Sequence, residues 1–471
     1  MPGTPPPLTA APSYWLILSG ARELRAIVAL SWPLALTNLT QVAMGTTDVM
    51  MMGWLGPNTL AAGALGANLY FMAFIFGAGL LNATSPMIAR DLGRDPRATD
   101  AVRGTVRQGL WSALLTAVPF WLALWWSEPL LLGMGQDPTL AALAGTYVHA
   151  LQWALLPAWG FIVLRSFISA LERPVWSLVI GLAAVACNAA ANWCLMLGHC
   201  GCQPMGIAGS GLATLLSSLL MASALGLVAC FLPPFRRFRL FAGFFRPDWP
   251  RFRAFWRLGL PMAATLTFEV TMFNAAVFLM GLIGAASLAA HAIAIQLSSL
   301  TFMVPLGIGQ AVSVRVGRAF GAQDREAMRR AGWSGFGLAV AFMAAMSLAM
   351  ILAPRLLISA FLDTGDPANA PVVDLAVTFL MFAALFQIAD GAQAVGSGML
   401  RGLHDARMPM LFALFGYWGI GLPLGVVLAF PLRLGGVGIW TGLATGLAIV
   451  ACLMLWRWVY REAHGLMAAR S

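Results

Sequence analysis

The sequence predicts an all-α polytopic membrane protein: twelve transmembrane helices in two pseudo-symmetric six-helix lobes around a central cavity. Three observations carry this: an apolar composition, a one-sided distribution of arginine, and an internal repeat that relates the first half of the chain to the second. Of 471 residues, 60% are apolar and 10% charged, and the mean hydropathy is +0.81. A water-soluble domain of this length does not carry such a composition. A span needs about 20 mostly apolar residues in succession, and many uncharged stretches of that length follow one another. Alternating polar and apolar strands are absent, so helices rather than a barrel must satisfy the backbone in lipid.

Spans are expected near residues 25–52, 60–86, 106–126, 140–164, 175–198, 206–232, 255–282, 287–314, 332–353, 373–399, 410–431 and 436–458. Between them lie turn signals such as Gly56-Pro57-Asn58, Gln136-Asp137-Pro138, Pro233-Pro234 and Gly365-Asp366-Pro367. The opening segment has no basic stretch ahead of an apolar core, so the first span reads as retained rather than as a cleaved signal. The chain divides into an amino-terminal segment (1–24), a six-helix lobe (25–232), a basic linker (233–254), a second six-helix lobe (255–458) and a tail (459–471).

All 28 basic residues are arginine. With both termini cytoplasmic, 26 fall on the inside and only Arg355 and Arg433 fall outside. That is the positive-inside pattern of a multi-pass inner-membrane protein, and a miscounted helix would scramble it. The formal charge of +10 then belongs to loops facing anionic lipid headgroups, and no nucleic-acid partner is implied.

The repeat lays Pro33–Gly93 on Pro261–Gly321 without a gap, with 20 of 61 positions identical. The tetrapeptide at Gly211–Thr214 recurs at Gly442–Thr445. Each repeat holds an even number of spans, so the halves insert the same way round, related by an axis along the membrane normal.

Of 18 acidic residues, three sit well inside apolar spans: Asp48, Glu269 and Asp390. A charge at mid-bilayer costs about 2.5–3.5 kcal/mol on insertion scales, so these groups must face a cavity or a partner. No arginine is expected at comparable depth. Burial makes the neutral carboxylic acid competitive with the carboxylate near neutral pH, which suits a proton or cation site; protonated carboxyls that merely join helices are the alternative.

The acids lie in PLALTNLTQVAMGTTDVMMMGWLG, PMAATLTFEVTMFNAAVFLMG and FQIADGAQAVGSGMLRGLHD; with LAAHAIAIQLSSLTFMVPLGIGQAVSVRVGRAFG these segments resemble spans 1, 7, 10 and 8 of the NorM-type multidrug and toxin extrusion (MATE) family. The resemblance covers nearly the whole chain in order. It implies that Asp48, Glu269 and Asp390 serve cation or proton coupling and cationic-drug binding, with sodium a candidate at Glu269 and Asp390, and that Pro33 bends the first span. Two positions depart from the family: its tyrosine four residues before the span-10 aspartate is Phe386 here, and its glutamine after the span-8 histidine is Ala292.

Polar neighbours extend the candidate set. Asn188 and Asn192 share one face of span 5, where the family's asparagines bond the amino-terminal aspartate; helix–helix adhesion is the plainer reading. Asn38 and Gln41 share a face of span 1, and Gln41 is the repeat counterpart of Glu269. Gln387 and Gln393 flank Asp390, His291 reads as a packed, hydrogen-bonded histidine, and Phe386 is counted with the cavity. Cys187, Cys194, Cys230 and Cys452 read as apolar packing, and Cys200 and Cys202 as outer-loop residues too close in sequence for an unstrained mutual disulfide.

The expected activity is therefore antiport of lipophilic, mainly cationic compounds against protons and/or sodium, by a monomer with no cofactor and no enzymatic activity. An ATPase would need a phosphate-cradling Gly-x-x-x-x-Gly-Lys-Ser/Thr loop, and the chain has no lysine. The other readings are a lipid-linked saccharide flippase of the same broad superfamily, which would carry basic cavity residues, and a membrane receptor or channel, which the two-lobe repeat opposes.

Overall fold

A computed structural model describes residues 12–466, with side chains described from Ala21 onward. The remainder of the amino-terminal segment and of the tail, Arg470 included, lies outside the described residues. Among the described residues, twelve helices are long and apolar enough to cross a membrane: α1 (Ala21–Trp54), α2 (Pro57–Arg94), α3 (Thr99–Trp125), α4 (Pro138–Ala170), α5 (Val175–Met196), α6 (Ile207–Phe231), α7 (Trp249–Ile283), α8 (Ala285–Gly321), α9 (Arg325–Leu352), α10 (Pro367–Gly402), α11 (Arg407–Ala429) and α12 (Gly436–Val459). Each coincides with an expected span. Several run one or two turns further at the arginine-rich end, because helix continues once the chain has left lipid. The starts are set by local chemistry: Asp137, Asp248 and Asp324 cap α4, α7 and α9 by accepting hydrogen bonds from the amides of Thr139, Arg251 and Ala327 at 2.9, 3.1 and 2.9 Å.

Pro33 lies inside α1, which runs on through it, and the Thr37 hydroxyl donates to the Pro33 carbonyl oxygen at 2.6 Å. The repeat counterparts do the same, Thr265 donating to Pro261 at 2.9 Å. The linker does not hang free. Phe235 and Phe238 are buried against Phe167, with ring centroids 6.0 and 5.3 Å apart, and Arg103 and Arg107 donate to the Phe238 and Gly243 carbonyls at 3.0 and 2.9 Å. It is folded onto the amino-terminal lobe.

The two lobes meet in a seam that obeys the repeat's symmetry. A Cβ added at Gly79 would fall 2.5 Å from the Ala263 Cα, and one added at Gly307 would fall 2.8 Å from the Ala35 amide nitrogen. Ala35 and Ala263 are repeat partners, as are Gly79 and Gly307, so one contact is the pseudo-two-fold image of the other. Gly93 packs on the Arg318 carbonyl and Gly321 on that of Arg90, again as images. The cores interlock accordingly: Ile27, Leu30 and Leu34 of α1 join the carboxy-terminal core, while Phe255, Leu258 and Met262 of α7 join the amino-terminal one.

Among the described residues, the inter-lobe ion pairs all lie at the arginine-rich end. Arg315 grips Glu23 at 2.7 Å and Glu172 at 2.9 Å, Arg318 reaches Glu172 at 3.0 Å, and Arg251 reaches Asp91 at 2.9 Å. The structure is thus latched at that end. Glu172→Gln removes the acceptor shared by two arginines; partly exposed pairs are worth about 1 kcal/mol at most. The expected outcome is a several-fold rise in thiol labelling of a cysteine placed at the buried seam residue Ser313 in a cysteine-free background. Labelling unchanged by Glu172→Gln would show that the Glu172 pairs do not hold the seam.

Candidate functional site

The three intramembrane acids are buried at two separate sites, Asp48 in the amino-terminal lobe and Glu269 with Asp390 in the carboxy-terminal one. In the amino-terminal lobe Asp48 is 5% exposed, and two neighbouring helices donate to it. Asn192 Nδ2 on α5 lies 2.7 Å from Oδ1, and Thr214 Oγ1 on α6 lies 2.7 Å from Oδ2. Asn192 also donates to the Asn188 carbonyl at 3.0 Å and opens a wide π turn, Asn192–Met196. Such turns rotate side chains off the regular helical position and recur at functional sites. Tyr70 and Tyr147 stand within range of the Asp48 charge. Asn188 is fully buried and its side chain stands beside Asp48, without a hydrogen bond as short as that of Asn192.

In the carboxy-terminal lobe Glu269 (9% exposed) and Asp390 (4% exposed) lie near enough for their charges to interact. Gln393 Nε2 donates to Glu269 Oε2 at 3.3 Å, Gln387 Nε2 donates to Thr301 Oγ1 at 2.6 Å, and Asp390 Oδ1 has no partner among the described residues. Tyr417, fully buried in a second π turn, Leu414–Gly421, sits within range of both acids. Sequence reasoning misses this phenol, because it weighs only the hydroxyl absent at Phe386. Glu269 also opens into a cavity of about 100 Å³ that both lobes line, through Gly79 and Asn82 on one side and Gln310, Gln393 and Arg401 on the other.

Several expectations are corrected. Asp48 stands apart from Glu269 and Asp390, held by Asn192 of α5 and Thr214 of α6 in its own lobe. Two arginines just past the expected span ends are buried rather than solvated: Arg165, 8% exposed, donates from Nη1 to Asn38 Oδ1 at 2.9 Å, and Arg401 borders the Glu269 cavity. Both helices continue past the expected span ends, and packing against the neighbouring helices buries these side chains. Arg165 and Arg401 also line a void of about 30 Å³ with Asn82, Ser85, Gln310 and Ser313. The last four are repeat partners, Asn82 with Gln310 and Ser85 with Ser313.

Asn38 therefore serves Arg165 rather than an acid, and Gln41 donates to Met221 Sδ at 3.4 Å within its lobe. Phe386 is 1% exposed and stacks edge-on against Phe273 and Trp440 at 5.8 and 5.7 Å, so it belongs to the apolar core rather than to a cavity wall. His291 packs on Trp440 at 5.4 Å, but neither ring nitrogen has a partner among the described residues. Cys194 is not mere packing, since its Sγ lies 3.0 Å from Cys200 Sγ. Among the described residues no cluster of three or more His, Cys, Asp or Glu could hold a metal ion.

The MatE family model matches the chain twice, over residues 33–194 and 261–427, and the two matches begin at Pro33 and Pro261, the positions that the repeat itself pairs. The chain is 62% identical over 441 residues to a probable multidrug resistance protein NorM of Mesorhizobium japonicum, covering 94% of each. It is 53% identical over 443 residues to one of Brucella suis, again covering 94% of each. With the multidrug resistance protein NorM of Burkholderia vietnamiensis it shares 43% identity over 442 residues, 94% of this chain and 95% of that one. The crystal structure of a eukaryotic MATE transporter superposes with a TM-score of 0.85 at 21% identity, covering 95% of this chain and 99% of that one. The outward-facing structure of a multidrug resistance MATE transporter gives 0.82 at 20% identity, covering 95% and 97%. At these identities the superpositions speak for the fold. On the duplicated family match and the extent of the sequence identity, the chain belongs to the multidrug and toxin extrusion (MATE) family, NorM type.

Proposed function

We propose that the chain is a secondary multidrug exporter of the inner membrane, with both termini cytoplasmic, which antiports lipophilic, mainly cationic compounds against protons and/or sodium by alternating access. The observation that carries this reading is the pair of sites of buried acids, Asp48 in one lobe and Glu269 with Asp390 in the other. Each is furnished with hydrogen-bond donors, in a chain so similar to proteins named for multidrug resistance. A carboxylate in low dielectric is stable only with a cation or a proton, so each site can trade one for the other as access alternates. The latched arginine-rich end faces the cytoplasm in this reading, and the lobes load and release by rocking about the seam. The chain works as a monomer, with no cofactor beyond the coupling ion.

Arg165 and Arg401 at the inter-lobe cavities favour a second reading, a flippase for anionic lipid-linked saccharides. The 62% identity to a NorM protein weighs against it. Expression in a pump-deficient host separates the two. Export of cations raises resistance to ethidium- and acriflavine-like dyes above that to anionic compounds, and the gain vanishes on collapse of the ion gradients. An unchanged susceptibility profile with verified membrane expression would overturn the exporter reading.

A further inference from the structure

A cavity of about 750 Å³ opens at the arginine-rich end, away from the buried acids. Both lobes build it. Arg90 comes from α2, Arg253 and Arg257 from the first turns of α7, Arg407 from the start of α11, and His404 from the turn between α10 and α11. The one carboxylate in the wall, Asp405, is taken by Arg457. Arg90, Arg253, Arg257 and Arg407 form no ion pair among the described residues, so the cavity gathers four cationic groups without an internal counter-charge.

Pseudo-symmetry shows what is missing. The turns after α4 and α10 fold alike: the Glu172 and Arg173 amides donate to Ser169 and Ile168 at 2.8 and 3.2 Å, and the His404 and Asp405 amides donate to Arg401 and Leu400 at 2.9 and 3.0 Å. Glu172 and His404 even share a left-handed backbone, with φ of 60° and 59°. They are structural counterparts, as Arg318 and Arg90 are. On one flank of the seam Arg318 meets a carboxylate, that of Glu172, at 3.0 Å. On the other Arg90 Nη1 meets His404 Nδ1 at 3.3 Å, while His404 Nε2 donates to the Pro86 carbonyl at 3.1 Å. That geometry requires a neutral ring, and burial pushes the imidazole down to about 4. The flank that lacks its carboxylate is the flank with the cavity.

We propose that this cavity is a phosphate-binding site, in which a phosphate group held by Arg90, Arg253, Arg257 and Arg407 supplies the missing anion and ties α2 of one lobe to α7 and α11 of the other. Guanidinium groups bind phosphate through paired, charge-assisted hydrogen bonds. The volume exceeds what a bare phosphate fills, and Leu258, Phe320, Leu403 and Met408 provide an apolar wall for its organic part. Two sources carry that chemistry: the headgroup of an anionic phospholipid at the membrane surface, or a soluble phosphate ester. Occupancy favours the latched arrangement.

The test uses the whole chain, purified in a neutral detergent and in nanodiscs. One arm titrates inorganic phosphate and glycerol 3-phosphate against the thermal unfolding midpoint. The other compares nanodiscs of phosphatidylcholine alone with equal parts phosphatidylcholine and phosphatidylglycerol. Arg253→Gln with Arg257→Gln, and separately Arg407→Gln, are set beside Arg94→Gln with Arg97→Gln, which removes the same charge from positions outside the cavity on the same face. The expected result is a rise in midpoint in at least one arm, with apparent affinity at least tenfold weaker in the cavity variants and unchanged in the control, and with reduced thiol labelling at the Ser313 seam position when the anion is bound. A response to soluble phosphate assigns the soluble source; a response to phosphatidylglycerol alone assigns the lipid. No response in either arm, or equal loss in the Arg94 and Arg97 control, overturns the proposal. None of these readouts depends on drug export.

Discussion

Asp48→Asn is expected to cut dye efflux from energised cells at least tenfold while leaving expression and thermal stability close to those of the parent. The substitution keeps the volume of the side chain but removes its charge and one of its acceptors. Asn192 Nδ2 and Thr214 Oγ1 now converge on the two carboxylate oxygens from 2.7 Å. An amide offers one oxygen and one NH₂, so one donor must turn away or face another donor. A hydrogen bond to a charged group is worth about 1.5–3 kcal/mol, and a tenfold rate change corresponds to about 1.4 kcal/mol. Loss of one such bond in the ion-loaded state is enough to produce the effect. Thr214→Val, nearly isosteric and retaining the charge, should slow efflux less than Asp48→Asn and change its dependence on external pH. Full efflux in Asp48→Asn would remove Asp48 from the mechanism.

The second large effect is expected in the other lobe. Glu269→Gln combined with Asp390→Asn should leave efflux from proteoliposomes unresponsive both to a sodium gradient at equal pH and to a pH gradient without sodium. Two close carboxylates in low dielectric do not both stay charged without a cation between them or a proton on one, and the neutral pair no longer needs either. With Phe386 in the position of the family's tyrosine, proton coupling is expected to be at least as strong as sodium coupling in the parent. Tyr417 gives a way to divide the two. Sodium needs several oxygen ligands, so if the Tyr417 phenol is one of them, Tyr417→Phe lowers sodium-driven efflux and spares the proton-driven component. Unimpaired transport in the double variant would dismiss the site assignment.

Much of this architecture is legible in the sequence because its determinants are periodic or one-dimensional. Span length, arginine sidedness and the repeat each survive projection onto a line, and all twelve helices follow from them. The hydrogen-bond partners of the acids are legible only in part. Asn192 and Gln393 can be placed on a helical face near an acid; Gln387 can too, but it donates to Thr301 instead. Thr214 cannot, because its contact with Asp48 depends on how α6 is turned against α1; its one advertisement is the recurrence of Gly211–Thr214 as Gly442–Thr445. Tyr417 lies in a π turn, which shifts the angular register and leaves no mark in composition. Arg165 and Arg401 read as loop charges because the arginine count fixes sides and not depth. Analogy with a tyrosine puts Phe386 in the cavity, whereas a ring without a hydroxyl has no reason to leave an aromatic core it can join with Phe273 and Trp440.

The doubled seam has a genetic consequence. Because Gly79 on Ala263 recurs as Gly307 on Ala35, a damaging change at one contact leaves an intact twin on the opposite flank, and the same change introduced at the repeat partner reports on the same chemistry in an independent location. The chain carries its own replicate. Where twins respond alike, the property belongs to the repeat itself. Where they diverge, as the Glu172 and His404 flanks do in their partners, the difference marks where the two halves part in function.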